Sequence, residues 1–317
     1  MTADPSSTGP GTGGGQATPT GLLVDSTAQL SAERAAGHRA ALSGLFGVVD
    51  LTVAVGDQER PDRDWSADEI CAQMRAGTSV TTSLPGVEAF GEALDELIAA
   101  GAKSVLILTL PSVLSGTHSA AVAAAADYPD IEIHVIDSRT TSAGLAGAAA
   151  IGVAGIASGM SAASVAGEIE DWCAAETRTF FIPEDLEYLR RGGRIGTAAS
   201  LLGRALAITP VLGLRAGSVV PLARVRTAQK AHDRLVRLVA ETCAEFTERD
   251  SEVRLEVVVQ HPESTPGAAG KALQRVLDLL AHAELHGDPE IRTEVLSTVI
   301  TAHVGPGALG VTVQTRP

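Results

Sequence analysis

Residues 104–120 read SVLILTLPSVLSGTHSA. The nearly unbroken apolar, β-branched run at 105–110 predicts a buried strand. Ser112, Ser115, Thr117, His118 and Ser119 then follow within eight residues, and an alanine-rich helical stretch begins straight after them. The same step recurs on either side. A short apolar run at 21–24 closes on Asp25-Ser26-Thr27, and a strand at 131–136 closes on Asp137-Ser138. The stretch SVTTSLPG at 79–86 leads into a helix over 87–100 with Gly101 at its C-terminus. Residues 45–55 form another strand region. A charged loop at 57–64 precedes a helix over 66–75, which Ser66 caps and Glu69 completes as a capping box. Helices over 117–126 and from about 140 to 159 complete a strand–helix alternation. That pattern predicts a parallel sheet covered on both faces.

Past residue 160 the pattern changes. A connecting helix over 162–177, a strand at 179–182, a short helix over 184–191 stopped by Gly192-Gly193 and a helix over 197–207 come first. A hairpin around Gly217, an amphipathic helix over 226–249, a strand at 253–260 and a helix over 265–283 follow, then strands within 290–304 and 310–314. The predicted class is therefore α/β in two domains. A disordered tail (1–20) precedes an N-terminal domain (21–162) with a parallel sheet in three layers and a C-terminal domain (163–317) with a mixed sheet.

In parallel sheets of this kind, ligands bind outside the carboxyl ends of the strands, where helix N-termini favour an anion. Thr82, Ser83 and Ser115 are thus candidates to hydrogen-bond one anion together, with Gly116 letting the backbone come close. Taken singly, each hydroxyl is also accounted for as a helix cap.

Composition narrows the partners. The net charge is 24 minus 38, or −14, and aromatic residues make up 3% of the chain, which together disfavour nucleic acid. The three cysteines, Cys71, Cys173 and Cys243, are far apart and form no CxxC, as expected for a reducing cytoplasm without a disulfide framework or zinc site. The N-terminus lacks the basic start and apolar core of a signal peptide. The alanine- and glycine-rich stretch at 142–160 reads as a buried helix rather than a membrane span.

Several motifs are excluded. GPGALG at 305–310 has the form GxGxxG, but too few residues follow for a βαβ unit, and GPGTGG at 9–14 lies in the tail. The chain has no GxxxxGK[ST] and no GxSxG, GMSAA at 159–163 being the nearest approach to the latter. No HExxH or paired histidine spacing suggests a metal, and no cofactor is implied. His303 follows a predicted strand at 299–302 and precedes a glycine turn, so it is either a turn residue or part of a site. In EDLEYLRRGGRIG (184–196), Arg190, Arg191 and Arg194 bracket a double glycine, which suits a helix end, a docking surface or an anion clamp.

Taken together, LLVDSTAQL (22–30), TTSLPG (81–86), LSGTHSAA (114–121), VIDSRTTSAG (135–144), EDLEYLRRGGRIGTAASLLG (184–203), ITPVL (208–212), ARVRTAQKA (223–231) and AHVGPGALG (302–310) resemble the DegV family, the fatty-acid-binding subunits of bacterial fatty-acid kinase. They run in family order over nearly the whole chain past the tail. The resemblance implies a DegV-like two-domain fold and a cytoplasmic carrier, not itself an enzyme, that binds a long-chain fatty acid as its ligand. It would present the carboxylate to a kinase subunit for acyl-phosphate formation in phospholipid metabolism, with room for peripheral contact with membrane lipid. By motif, Thr82 and Ser115 match the carboxylate-binding hydroxyls, Ser83 and Gly116 flank them, and His303 lies near the head group. Arg194 and Arg226 match arginines of the family's GGRI and KVR-type segments, and the resemblance implies contact with the kinase for at least one of them. The hydroxyls would then recognise the carboxylate without a full counter-charge. The chain departs from the family where TSLPG replaces TSQPS and where Val304 replaces a common threonine. Two alternatives remain open: a lipid or ester hydrolase using Ser115 and His303 with Asp25 or Asp137, and a binding module for another anionic lipid or a small phosphate ester.

Overall fold

A computed structural model describes residues 18–202, 208–263 and 268–316. The GPGTGG stretch and all of the expected tail up to residue 17 lie outside the described residues. The chain is already ordered at Pro19, whose carbonyl accepts from Lys103 N, and β1 (Thr20–Asp25) starts one residue later.

β1, α1 (Ala32–Ala41) and β2 (Phe46–Val49) form a parallel βαβ unit. The strand region expected at 45–55 is in fact two strands, because β3 (Thr52–Val55) turns away to pair with β4 (Gln58–Pro61). α2 (Ala67–Arg75) follows, and Ser66 accepts from Glu69 N at its start. β5 (Val80–Ser83) pairs antiparallel with β3, giving a separate sheet of order β4-β3-β5. The TTS segment therefore does not end a strand of the parallel sheet, as its sequence suggested. After α3 (Val87–Ala99), β6 (Ser104–Thr109) is buried at every position and pairs in parallel with β1. α4 (Thr117–Ala125) leads to β7 (Glu132–Asp137), which closes the order β2-β1-β6-β7. α5 (Ala143–Ala157) and α6 (Ala162–Ala175) pack on each other against this sheet, and α3 packs with α4. Among the described residues, no helix is long and apolar enough to cross a membrane.

The change of pattern read near residue 162 does not coincide with a change of core. Val165, Ala166, Ile169 and Trp172 of α6 pack in the same cluster as Leu22 and Leu106. The second sheet begins with β8 (Thr177–Ile182), followed by α7 (Leu186–Arg191). Where a helix over 197–207 was expected, a 3-10 turn spans Gly196–Leu201 and residues 203–207 lie outside the described part. β9 (Thr209–Arg215) and β10 (Ser218–Val225) form the hairpin, and α8 (Ala228–Arg249), β11 (Leu255–His261), α9 (Ala268–Ala281) and β12 (Glu290–Val295) follow. The chain then folds into α10 (Thr298–Val304) where a strand was expected, and ends in β13 (Leu309–Thr315). The sheet order is β10-β9-β8-β13-β11-β12, mixed because only β11 and β12 run parallel. α8 and α9 cover one face through Leu235, Val239, Phe246, Val276 and Leu280.

α10 departs from the sequence reading for local reasons. Its β-branched run resembles a strand, but Ser297 accepts from Ile300 N as an N-cap. Gly305 ends it at a φ of 89°, a conformation open to glycine. Val299 then fills the core of the three-stranded sheet beside Leu51, Val53, Trp65, Ile70 and Leu110.

Candidate ligand cavity

A cavity of about 380 Å³ lies where the mixed sheet faces β5 and the turns that follow β6 and β7. Leu110, Leu114, Phe181, Leu189, Leu296 and Leu309 are among its apolar lining residues, and Thr82, Ser83, Ser115, Arg194 and His303 meet in its wall. Such a volume and such a lining, apolar with a few converging polar groups, are typical of small-molecule sites.

Each polar group arrives by a local rule. Strand alternation in β5 turns Val80 and Thr82 inward and leaves Thr81 and Ser83 exposed. Thr82 Oγ1 lies 2.9 Å from His303 Nε2 on the last turn of α10. After β6 the chain makes a tight turn in which Leu114 N and Ser115 N both donate to Pro111 O. The crowd of hydroxyls at this strand end divides its work. Ser112 donates to Asp137 Oδ2 at 2.5 Å, His118 Nδ1 sits 3.3 Å from Thr109 Oγ1, and Ser115 Oγ pairs with Thr117 Oγ1 at 2.9 Å. Of these, Ser115 lines the cavity. Gly116 does not. It is exposed at the N-cap of α4, and a Cβ there would lie 3.0 Å from Leu84 Cδ2.

Arg194 crosses from the second half of the chain. Its Nε donates to Leu114 O at 2.9 Å and its Nη1 donates to Gly192 O, so it clasps the turn that carries Ser115. Among the described residues, Arg194 is the only permanently charged one in the lining, and no carboxylate of theirs faces it there. Arg194 thus places a guanidinium in the same wall as Thr82, Ser83 and Ser115, a charge that the hydroxyl motifs alone did not indicate. Arg226, in contrast, is exposed just ahead of α8 and lies outside the lining. Burial, with the Arg194 charge beside it, pushes the His303 pKa down to about 4, so the imidazole is neutral near neutral pH.

The double glycine holds a residue role that its motif did not reveal. A Cβ on Gly192 would lie 2.3 Å from His303 Nδ1, so only glycine lets the imidazole seat against α7. Gly192→Ala is expected to displace His303, break its contact with Thr82 and destabilise the fold by about 1–3 kcal/mol, as overpacking does. Urea unfolding measures this, and wild-type stability in the variant would contradict the tight seat.

The hydrolase arrangement is not assembled. Ser115 is paired with Thr117 rather than His303. Asp25 is engaged with Thr27 and Leu110 N, and Asp137 with Ser112 and Arg139 N. Neither carboxylate orients His303 as a base would require.

Comparison with known proteins agrees with the architecture. The DegV profile (Uncharacterised protein, DegV family) matches residues 19–316. A DegV domain-containing protein of Streptomyces coelicolor is 35% identical over 93% of this chain and 98% of its own length. One from Streptococcus pyogenes is 32% identical over 92% and 96%. Among solved structures, a fatty-acid-binding DegV family protein of Thermus thermophilus superposes with a TM-score of 0.78 at 28% identity, covering 93% of this chain and 99% of that one. DegV of Bacillus subtilis shares the fold with a TM-score of 0.79 at 24% identity over 94% and 99%. With a parallel sheet, a mixed sheet, a small three-stranded sheet and sequence similarity along nearly all of its length, the chain belongs to the DegV family.

Proposed function

We propose that this protein binds a long-chain fatty acid, with the carboxylate at Thr82, Ser83, Ser115 and Arg194 and the acyl chain in the apolar cavity. The observation that carries this reading is the meeting of those hydroxyls with Arg194, in a cavity whose remaining wall among the described residues is largely apolar. The Thermus thermophilus relative, described as binding fatty acid, supports it. His303 orders the head group through Thr82. In the fuller form of the proposal the protein is a cytoplasmic carrier, and a partner kinase subunit converts the bound acid to an acyl-phosphate. Exposed Ser83 and Leu84 leave the head-group end reachable, and Arg226 is a candidate docking contact. Gly116 supports the Ser115 turn instead of touching the ligand.

Organic extraction and mass spectrometry of the purified protein test the binding reading. A stoichiometric fatty acid is expected; an empty protein that also fails to take up added acid overturns it. A neutral donor to a charged acceptor contributes roughly 1.5–3 kcal/mol, so Thr82→Ala and Ser115→Ala should each weaken binding about tenfold or more. Unchanged dissociation constants in both would remove these residues from the site. Arg226→Ala should leave binding intact while slowing phosphorylation by the kinase.

A further inference from the structure

One part of the cavity wall is polar and carries no counterpart in the head-group site. Thr141 and Ser142, in the turn between β7 and α5, and Gln260, near the end of β11, all line the cavity. They are 7%, 2% and 1% exposed. Thr141 Oγ1, Ser142 Oγ and Gln260 Nε2 find no hydrogen-bond partner among the described residues.

The register explains why Gln260 faces inward. Gln260 is opposite Gly310 on β13, and Gly310 is opposite Phe181 on β8. Residues directly opposite share a sheet face, so the Gln260 amide stands on the same face as Phe181. Glycine between them leaves that face open beside the amide. Ser142 stands at the N-cap of the fifteen-residue α5 without capping it, so that helix starts at the same wall.

Gln260 lies away from the head-group cluster. Leu296 N, two residues before α10, donates to His261 O, which places Gln260 by the N-terminal end of that helix. At that same end Thr298 Oγ1 donates to Asp62 O. The Thr82–His303 contact is at the opposite, C-terminal end of α10. A wholly hydrocarbon ligand would bury the three unpaired groups against methylenes, which is unfavourable.

We propose that the cavity holds a polar subsite for an oxygen substituent on the acyl chain, a hydroxyl or keto oxygen that accepts from Gln260 Nε2 and pairs with Thr141 and Ser142. This inference rests on the fatty-acid reading and names a narrower ligand class for the same cavity.

The test compares binding of stearic acid with stearic acids bearing one hydroxyl at successive positions along the chain. At least one hydroxylated acid is expected to bind about tenfold tighter than stearic acid, the scale of a buried hydrogen bond restored. Gln260→Leu and Thr141→Val keep the volume close to native, and each should tighten stearic acid and abolish the preference, with unfolding curves confirming the fold. Stearic acid binding at least as tightly as every hydroxylated acid overturns the subsite alone, as does a preference that survives in both variants. Failure of all the acids to bind overturns the fatty-acid reading and the subsite with it.

Discussion

Arg194→Ala is expected to weaken fatty-acid binding by roughly thirty- to a hundredfold, about 2–3 kcal/mol, while the hydroxyls remain in place. Among the described residues, the guanidinium is the only fixed charge in the cavity wall, and no carboxylate in that lining competes for it. Its removal also frees the Leu114 carbonyl and loosens the turn that presents Ser115. Arg194→Lys separates the two contributions: it returns the charge without the planar fork, so affinity should recover only in part. Titration of the folded variants with a fluorescent fatty acid provides the measurement. An unchanged dissociation constant in Arg194→Ala would mean that the hydroxyls hold the head group unaided.

A second large effect is expected from Asp62→Asn, this time on stability. Burial pushes the Asp62 carboxyl up to about 7; the Ser26 hydroxyl offsets part of this, and the charges of Asp50 and Asp25 add to it. In the unfolded chain the same group titrates near 3.8. Between these values the native protein keeps a proton that the unfolded chain has lost, so stability falls as pH rises through that window. Asparagine removes the penalty. The variant should be about 2–4 kcal/mol more stable than wild type at about pH 8, and little changed at about pH 4. Burial also raises Asp25, to about 6, and it contributes with the same sign. His303, held at about 4 against an ordinary 6.5, acts oppositely, since its stability contribution is lost as pH falls through that range. Urea unfolding at both pH values reads the difference, and a variant no more stable at the higher pH would contradict the burial of a charge at residue 62.

The parallel sheet was legible because β1 and β6 are buried on both sides and so carry unbroken apolar runs ended by small polar residues. β5 misled for the same reason. Its TTS ending resembles those strand ends, and nothing local states that its partner is β3 rather than β1. α10 could have been read from Ser297 and Gly305, which bracket it as start and stop signals, but its β-branched run pointed to a strand. Thr82, Ser83, Ser115 and His303 were found through motifs and do meet at the cavity. The direction of Arg194 was not legible, because it depends on a contact with a carbonyl eighty residues earlier in the chain. Gly192 belongs to a motif that was noticed, but its reason, room for an imidazole on a later helix, exists only in three dimensions.

α10 has a consequence for how the protein is made. Synthesis runs from the N-terminus, and the first 176 residues supply Thr82, Ser115 and the whole parallel sheet. Val299 completes the core of the three-stranded sheet and His303 meets Thr82, and both come after the whole of the parallel sheet in the chain. A nascent chain can therefore fold its first sheet early while its binding cavity still lacks a wall. Truncation just before Ser297 would leave Val53, Trp65 and Ile70 without the cover of Val299. Such a fragment would expose that apolar core, so the cavity is finished only once α10 has been made.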